Sequence, residues 1–447
     1  MSAALVEELV EAVGEDAVSV SSDDRAAFAA DESRATPTEP DVVVRPADTA
    51  GVAGVLEVAS RRRVAVVPVG ARTGLAGGAV PVRGGIALSL ERLSEIGPVD
   101  AANLTVTAGA GARTADVQAA ALAEGLFYPP DPASLSRSTI GGNIAANAGG
   151  PRCFKYGVTA DYVLALEAVT ADGRVFRTGR PTRKSTAGLR LAALLVGSEG
   201  TLAVVTEATL RLVAAPGARV AATGTFDSVE AAGEAVVSIV GAGLVPSALE
   251  LLDRECVELL GLGGGALLLV EVDGPDERSV AADLDRLEPL LGRDIELART
   301  ESEVERLWEK RRGLAHAIVS TTADIRFQDV CVPVSRIPEA LRGAEEIARR
   351  HSLRIPVFCH AGDGNLHPSV LYDRSAGEEE QAHAAEADLL RMALRLGGTI
   401  SAEHGVGLLK LPFLAEELDP VALERMRAIK QAFDPLGILN PGKALPD

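Results

Sequence analysis

Short apolar runs and amphipathic stretches alternate along this chain, and their rhythm changes near residue 214. Before that point, Val-, Ile- and Leu-rich runs at 41–45, 64–67, 86–90, 104–108 and 163–170 read as strands. Stretches at 48–62 and 113–124 read as amphipathic helices, and residues 1–35 form a helical lead-in closed by the turn residues Thr36-Pro37-Thr38-Glu39-Pro40. After the break Ala214-Ala215-Pro216-Gly217, strands at 220–226, 248–252 and 267–272 alternate with helices at 228–240 and 276–291. A polar helix carries Trp308 and the basic cluster Lys310, Arg311, Arg312. A β-α-β-β-α-β order follows, with strands at 329–334, 354–359, 366–372 and 399–402 and helices at 338–351 and 377–396. That order is the signature of a ferredoxin-like antiparallel sheet. Gly397-Gly398 supplies the stop that the second helix needs.

The expected fold class is therefore α+β, in four parts: a lead-in (1–35), a first domain (36–215), a second domain (216–432) and a tail (433–447). The tail holds Asp434-Pro435-Leu436-Gly437 and Asn440-Pro441-Gly442-Lys443, irregular backbone that must dock on something to be ordered.

Composition narrows the class. With 447 residues the chain exceeds one ordinary core, and 47% hydrophobic against 24% charged residues excludes a disordered protein. Aromatics supply only 3%, so the cores must be built from Ala, Val and Leu. A formal charge of -19 argues against nucleic acid or an anionic membrane as main partner. An anionic substrate would need local cationic groups. Cys153, Cys256, Cys331 and Cys359 lie far apart with no CxxC pair, so neither an iron–sulfur cluster nor a zinc ribbon can be read from them, and a reducing cytoplasm fits. Residues 1–16 lack the basic start of a signal peptide, and no apolar run approaches the roughly 20 residues of a membrane helix. The expected location is cytoplasmic, with peripheral docking at a membrane left open.

Three glycine-rich segments carry the first candidate chemistry. Residues 67–78, VPVGARTGLAGG, follow a strand, and inward-turned backbone N–H groups there can hold phosphate without a charged side chain. No Gly-Lys-Ser/Thr follows, so this is not a P-loop. A strand follows where a Rossmann fingerprint needs a helix. Alone, such a loop is as well explained as a plain turn. A second segment, 129–157, interleaves Gly141, Gly142, Gly149 and Gly150 with Asn143 and Asn147, and a third, Gly197-Ser198-Glu199-Gly200-Thr201-Leu202, enters a strand. Three such loops in one domain point to a large, extended, phosphate-bearing ligand.

The second candidate chemistry lies in Phe358-Cys359-His360-Ala361-Gly362-Asp363-Gly364-Asn365-Leu366-His367, which holds two of the six histidines. Gly-Asp-Gly-Asn between β-rich runs predicts a hairpin. His360 and His367 then sit at facing strand ends, where Cβ atoms roughly 5 Å apart can bring two imidazoles onto one metal ion. The alternative is that they merely satisfy the turn's backbone. Thr399-Ile400-Ser401-Ala402-Glu403-His404-Gly405-Val406-Gly407 adds a third element. If its strand joins the hairpin's sheet, Glu403 completes a two-His, one-carboxylate set suited to zinc, manganese or iron. Adjacent strand residues point to opposite faces, so Glu403 and His404 share a site only if the chain bends, as Gly405 and Gly407 allow.

The glycine-rich segments resemble the FAD-binding domain of the vanillyl-alcohol-oxidase and PCMH superfamily. The motifs HxGDGNxH and xEHGxG, with Asn-Pro-Gly-Lys near residue 440, resemble the C-terminal domain of FAD-linked 2-hydroxy-acid dehydrogenases. That group contains the flavoprotein component of glycolate oxidases, D-lactate dehydrogenases and D-2-hydroxyglutarate dehydrogenases. The resemblance runs from about residue 36 onward. It implies a PCMH-type FAD-binding domain followed by a ferredoxin-like substrate or cap domain, with the tail returning to the FAD site. Pyrophosphate contacts carry over to Pro68, Gly70, Ala71, Arg72, Thr73, Gly74 and Leu75. Further FAD contacts carry over to Asp131, Ser134, Gly141, Gly142, Asn143, Asn147 and Gly149, then to Glu199, Gly200, Val204 and Asn440. Some members attach FAD through a histidine in or near the first loop; this loop has none, so FAD is expected to be noncovalent.

The same resemblance implies a divalent metal, zinc first with manganese or iron as alternatives, on His360, His367 and Glu403. It also implies His404 as acid–base group, and Arg311 and Arg326 as cations for the substrate carboxylate. For Arg311 a solvated basic helix face competes with that role. Members often have Asn two residues after the second histidine, where this chain has Ser369, which bears on substrate preference. The implied reaction is oxidation of a small 2-hydroxy acid, of the D series, to the 2-oxo acid. Electrons would pass to a quinone, a cytochrome, an electron-transfer protein or oxygen; a homodimer is open. The alternatives are a non-redox FAD enzyme of the alkyl-dihydroxyacetone-phosphate synthase type, a non-catalytic FAD-binding partner subunit, or a metallohydrolase using the His/His/Glu set alone.

Overall fold

The computed structural model describes residues 3–263, 265–322 and 324–446. They form two compact units. The first runs up to Gly149, resumes over Val158–Ala214, and takes up the chain again from Glu403; the second comprises Gly150–Gly157 and Ala215–Ala402.

In the first unit, strands Val42–Val44, Ile86–Ser89 and Val66–Val69 pair in parallel, and Val18–Ser19 adds an antiparallel edge. Their side chains are buried almost without interruption, as expected of parallel strands covered on both faces. The crossover helix Thr49–Arg62 starts where the Asp48 side chain accepts the Gly51 N–H at 2.8 Å, and ends at Arg63 in the left-handed region. It buries Val52, Val55, Leu56, Val58 and Ala59 in a core built from Val, Leu, Ile and Ala. A second, antiparallel sheet follows the order Thr105–Gly109, Ala203–Arg211, Val163–Thr170, Val175–Gly179. The segment after helix Pro420–Phe433 returns to the first sheet: Val66 N–H donates to Ile438 O and Asn440 N–H to Val66 O, both at 2.8 Å.

The second unit is built on one antiparallel eight-stranded sheet. Its strands are β1 (Ala218–Phe226), β2 (Ala248–Leu252), β3 (Ala266–Gly274), β4 (Arg293–Ala298), β5 (Asp324–Phe327), β6 (Val330–Cys331), β7 (Val357–His360) and β8 (Asn365–Tyr372). The order is β4-β1-β3-β2-β7-β8-β5, with β6 also on β8. Helices α1 (Val229–Gly241), α2 (Glu277–Leu287), α3 (Glu301–Thr321), α4 (Ile337–His351) and α5 (Glu379–Arg395) are its longer helices.

This order shows two β-α-β-β-α-β units side by side, joined edge to edge where β2 pairs with β7. The sequence reading assigns that pattern to residues 329–402, but the complete copy is the earlier one, β1-α1-β2-β3-α2-β4. In the later copy the first strand is split into β5 and β6 without a change of register: Gln328 N–H still donates to Pro368 O opposite it, but Pro368 has no N–H to return the bond. The fourth strand, expected at 399–402, shrinks to a single bridge between Thr399 and Cys331. The N–H groups of Ser401 and Ala402 go instead to Thr399 Oγ1 and Asp329 Oδ2. Antiparallel α+β architecture stands; the last strand does not.

Candidate active site

In the first unit the three glycine-rich loops are knit together. Thr139 caps helix Ile140–Ala146 by accepting the Gly142 N–H at 3.3 Å, and Asn147, at φ 52°, ends it. A Cβ on Gly70 would lie 2.5 Å from Thr139 Oγ1, and one on Gly141 2.8 Å from Ala110 Cβ, so only glycine lets these backbones approach. Glu199 N–H donates to Ala145 O and Gly197 N–H to Ile144 O, tying the third loop to the same helix. Asn440 Nδ2 donates to Gly78 O and Glu199 O, and Lys443 Nζ donates to Gly78 O and Asn440 Oδ1.

Several residues expected to touch the cofactor are thereby spent on holding the cradle. Both Glu199 carboxylate oxygens accept backbone N–H groups, from Val406 and Gly407, at 2.8 Å; burial pushes the carboxyl up. Asn143 donates to Thr114 Oγ1, and Asn147 Oδ1 accepts the Ala160 N–H. The Val204 side chain is core. Asp131 and Ser134 lie on the irregular stretch leading to Thr139, Pro68 is in strand Val66–Val69 beside Gly200, and Gly149 is the last residue before the chain enters the second unit. The first loop, Gly70 to Leu75, keeps its backbone and one cation for a ligand. Arg72, at φ 59°, lies 4.2 Å over the Phe28 ring with no carboxylate in ion-pair range among the described residues, and burial lowers its pKa. Uncharged turns plus one unpaired guanidinium fit a pyrophosphate.

In the second unit the hairpin is present, with a register the sequence does not give. His360 pairs with Asn365, and His367 with Phe358, so the two histidines are diagonal neighbours on one face rather than directly opposite. Their rings still meet, centroids 4.9 Å apart and nearly perpendicular. Both are buried, and His367 Nδ1 lies 4.0 Å from Asp329 Oδ1. Asn365 Oδ1 and Ser369 Oγ, two residues to either side of His367 on the same face, are buried with no hydrogen-bond partner among the described residues. A polar ligand on this face would satisfy them.

Arg311 reaches this row from α3. Its Nε donates to Glu250 Oε2 at 2.8 Å, Nη2 lies in ion-pair contact with the same oxygen at 2.7 Å, and its guanidinium lies 4.4 Å over the Phe358 ring. It is largely buried, whereas Lys310 and Arg312 pair with Glu296 and Glu305 at the exposed surface; the solvated-face reading holds for them and not for Arg311. Glu250, directly opposite His360 in the register, accepts from Nδ1 of that ring at 2.5 Å. Burial pushes the Glu250 carboxyl up, but the His360 and Arg311 charges outweigh it and hold it below the ordinary range.

Arg326 is not brought to this row. Ile325 and Phe327 pack in the core with α3, so strand alternation turns Arg326 to the other face. There its Nε donates to Glu386 of α5 at 2.6 Å. Glu403 and His404 begin the returning stretch of the first unit. The residues just before them are fixed by Asp329 Oδ2, which accepts from Ser401 Oγ and Ala402 N at 3.0 Å. Those just after are fixed by Glu199, and Gly405 and Gly407 both have positive φ, the bend the sequence calls for.

Sequence reasoning missed Glu250, Asp329 and Lys443. Glu250 left one signal: a lone carboxylate in the apolar run Ala248–Leu252. A charge in a strand buried on every residue needs a partner.

A glycine-looped α+β unit and an antiparallel sheet unit carrying paired histidines define a flavoprotein oxidoreductase of two-unit type. Residues 40–179 match the model of an FAD binding domain, and residues 215–444 that of the C-terminal domain of FAD linked oxidases. Glycolate oxidase subunit GlcD of Bacillus subtilis is 39% identical over 98% of this chain and 96% of its own. D-lactate dehydrogenase of Archaeoglobus fulgidus is 40% identical over 90% of this chain and 91% of its own. The crystal structure of p-cresol methylhydroxylase with substrate bound superposes with a TM-score of 0.83 over 99% of this chain and 96% of that one, at 16% identity, a likeness of fold. The chain belongs to the FAD-linked oxidase family.

Proposed function

We propose that this protein oxidises a small 2-hydroxy acid of the glycolate or D-lactate class to the 2-oxo acid. Electrons go to FAD held noncovalently in the glycine-rich cradle, and from there to an acceptor other than a nicotinamide. The observation that carries this reading is the buried row Arg311, Glu250, His360, His367 in a chain with an FAD-binding domain. The names of its relatives, glycolate oxidase subunit and D-lactate dehydrogenase, support the substrate class.

A 2-hydroxy acid offers a carboxylate, a hydroxyl proton and an α-hydrogen, and each needs a partner. Arg311 hydrogen-bonds Glu250 through Nε, and its other N–H donors suit a carboxylate. His360, His367 and Glu403 are proposed to hold a divalent cation, zinc first. What supports the two histidines is that they are buried with their rings in contact, and that His360 already donates through one nitrogen to a carboxylate. His404 is proposed to accept the hydroxyl proton, as an imidazole near neutrality can. When bound, the cation supplies Lewis acidity toward the hydroxyl, and FAD supplies a two-electron acceptor.

The test is anaerobic: the FAD-loaded protein is mixed with D- and L-lactate, glycolate and 2-hydroxyglutarate while flavin absorbance is followed, then again after chelation with metal loss verified. Bleaching by one of these acids and loss of that bleaching on chelation are expected. A flavin that none of them reduces would end the substrate reading, and unchanged rates without metal would end the cation's part in it.

A further inference from the structure

We infer that Glu250 is a positioning residue that sets both the ligating nitrogen of His360 and the guanidinium of Arg311. This rests on the reading just given and goes beyond it, because Glu250 lies 110 residues from the histidine hairpin in sequence and belongs to no motif there.

The argument begins with the fully buried Glu250 side chain. A carboxylate in such a place must have every oxygen satisfied. Oε2 takes the Nε donor of Arg311 with Nη2 in ion-pair contact, and Oε1 takes Nδ1 of His360. A carboxylate ion-paired with a guanidinium has no proton to give, so the imidazole must be the donor in the second bond. His360 Nδ1 is thereby committed to the carboxylate, so Nε2 is the ring nitrogen that can serve a cation.

The arrangement is built into the sheet. Glu250 and His360 are direct cross-strand partners at the β2–β7 join of the two β-α-β-β-α-β units, so a shift in that pairing would carry the carboxylate away from the ring. Arg311 comes from α3, a third element, and is stacked on Phe358, two residues from His360 on the same strand. One carboxylate thus fixes the guanidinium through one oxygen and the imidazole through the other. If Glu250 only neutralised Arg311, the bond to His360 would be incidental and metal affinity would not depend on it.

The experiment uses FAD-loaded full-length protein and Zn2+ as probe. Glu250→Gln, Glu250→Asp and His360→Ala are compared with the parent in flavin content, melting temperature, Zn2+ affinity by chelator competition, and KM and kcat for the best 2-hydroxy acid. Glu250→Gln presents an amide that cannot accept from both partners. Glu250→Asp keeps the charge but withdraws it by one methylene, and serves the same purpose if the amide variant does not fold. We expect Zn2+ affinity to fall at least 10-fold in a folded, FAD-retaining Glu250 variant, with KM at saturating Zn2+ rising more than kcat falls. Zn2+ affinity within twofold of the parent in such a variant, while His360→Ala weakens it, would overturn the positioning role alone. Unchanged affinity in His360→Ala as well would overturn the metal reading of His360 and this inference with it.

Discussion

The side-chain amide of Asn440 donates to the backbone oxygen of Glu199 at 2.7 Å, across 241 residues of sequence. Its second N–H goes to Gly78 O at 3.1 Å, and its oxygen accepts from Lys443. Both N–H groups of this buried side chain are thus used to lash the first and third glycine-rich loops together, and its oxygen anchors Lys443. Asn440→Ala should leave Glu199 O unpaired and Lys443 short of an acceptor, at a cost of about 2–3 kcal/mol. The expected result is a lower melting temperature and weaker FAD retention, read by fluorescence of released flavin. Unchanged FAD affinity with an unchanged melting temperature would remove Asn440 from the cradle's support.

Lys443 gives the cradle a pH signature. Its ammonium is almost fully buried against two neutral oxygens, and burial pushes its pKa down to about 7, against the opposing pull of Asp31 and Glu199. Between about pH 7 and the unfolded value near 10.4, the unfolded chain keeps a proton that the folded one has lost. Stability from this group must therefore rise with pH across that window, with a slope approaching 1.4 kcal/mol per unit as an order of magnitude. Denaturant melts of FAD-free protein at pH 7, 8 and 9 should show the rise in the parent and a flatter profile in Lys443→Met. Identical slopes would mean the ammonium is not buried as described.

The two arginines expected to share a role should separate cleanly. Arg311→Lys keeps a charge but loses the fork that holds Glu250 and leaves donors for a carboxylate, so KM for the 2-hydroxy acid should rise about 10- to 100-fold. Arg326→Gln breaks the pair with Glu386 on the other face of the sheet; it should lower the melting temperature and leave KM within about threefold. Steady-state kinetics on both variants, with flavin content matched, decides the matter. A large KM effect at Arg326 would return it to the substrate.

What the sequence made legible were features written locally. Glycine at 70, 141 and 200, and the turn 361–364 between two β-rich runs, carry their conformational demands in their own residue types, so the cradle and the hairpin could be anticipated. What stayed hidden depends on partners far away in the chain. The register that makes His360 and His367 diagonal is set across the sheet, not by the turn alone. The strand expected at 399–402 has strand-forming residues, but Asp329, about 70 residues earlier, takes the Ala402 N–H and the Ser401 hydroxyl, and the Ser401 N–H goes to Thr399 Oγ1. Arg326 turned to the opposite face because Ile325 and Phe327 on either side of it pack in the core, and which face of that strand is covered by α3 is not written in the local sequence. Glu250 could have been suspected from burial alone; its two partners could not have been named.

Gly407 offers the sharpest structural test of the segment that carries His404. Its φ is +49°, and a Cβ there would stand 2.0 Å from the carbonyl oxygen of Ala76, in the first glycine-rich loop. That carbonyl is itself committed, accepting the Leu408 N–H at 2.8 Å, so it cannot move aside without breaking a bond. On the same residue, the N–H is held by Glu199 and the carbonyl by Ala444 N–H. Gly407→Ala must therefore either strain the backbone or push the loop away. Each route costs more than the few tenths of a kcal/mol usual for a surface change, and about 1–3 kcal/mol is expected. Because the displaced loop also contains Gly70 to Leu75, FAD affinity should fall together with the melting temperature, and added FAD should recover part of the loss by mass action. A variant that melts like the parent and keeps its flavin would show that residues 405–407 are not clamped between Glu199 and Ala76, and the placement of His404 would lose its support.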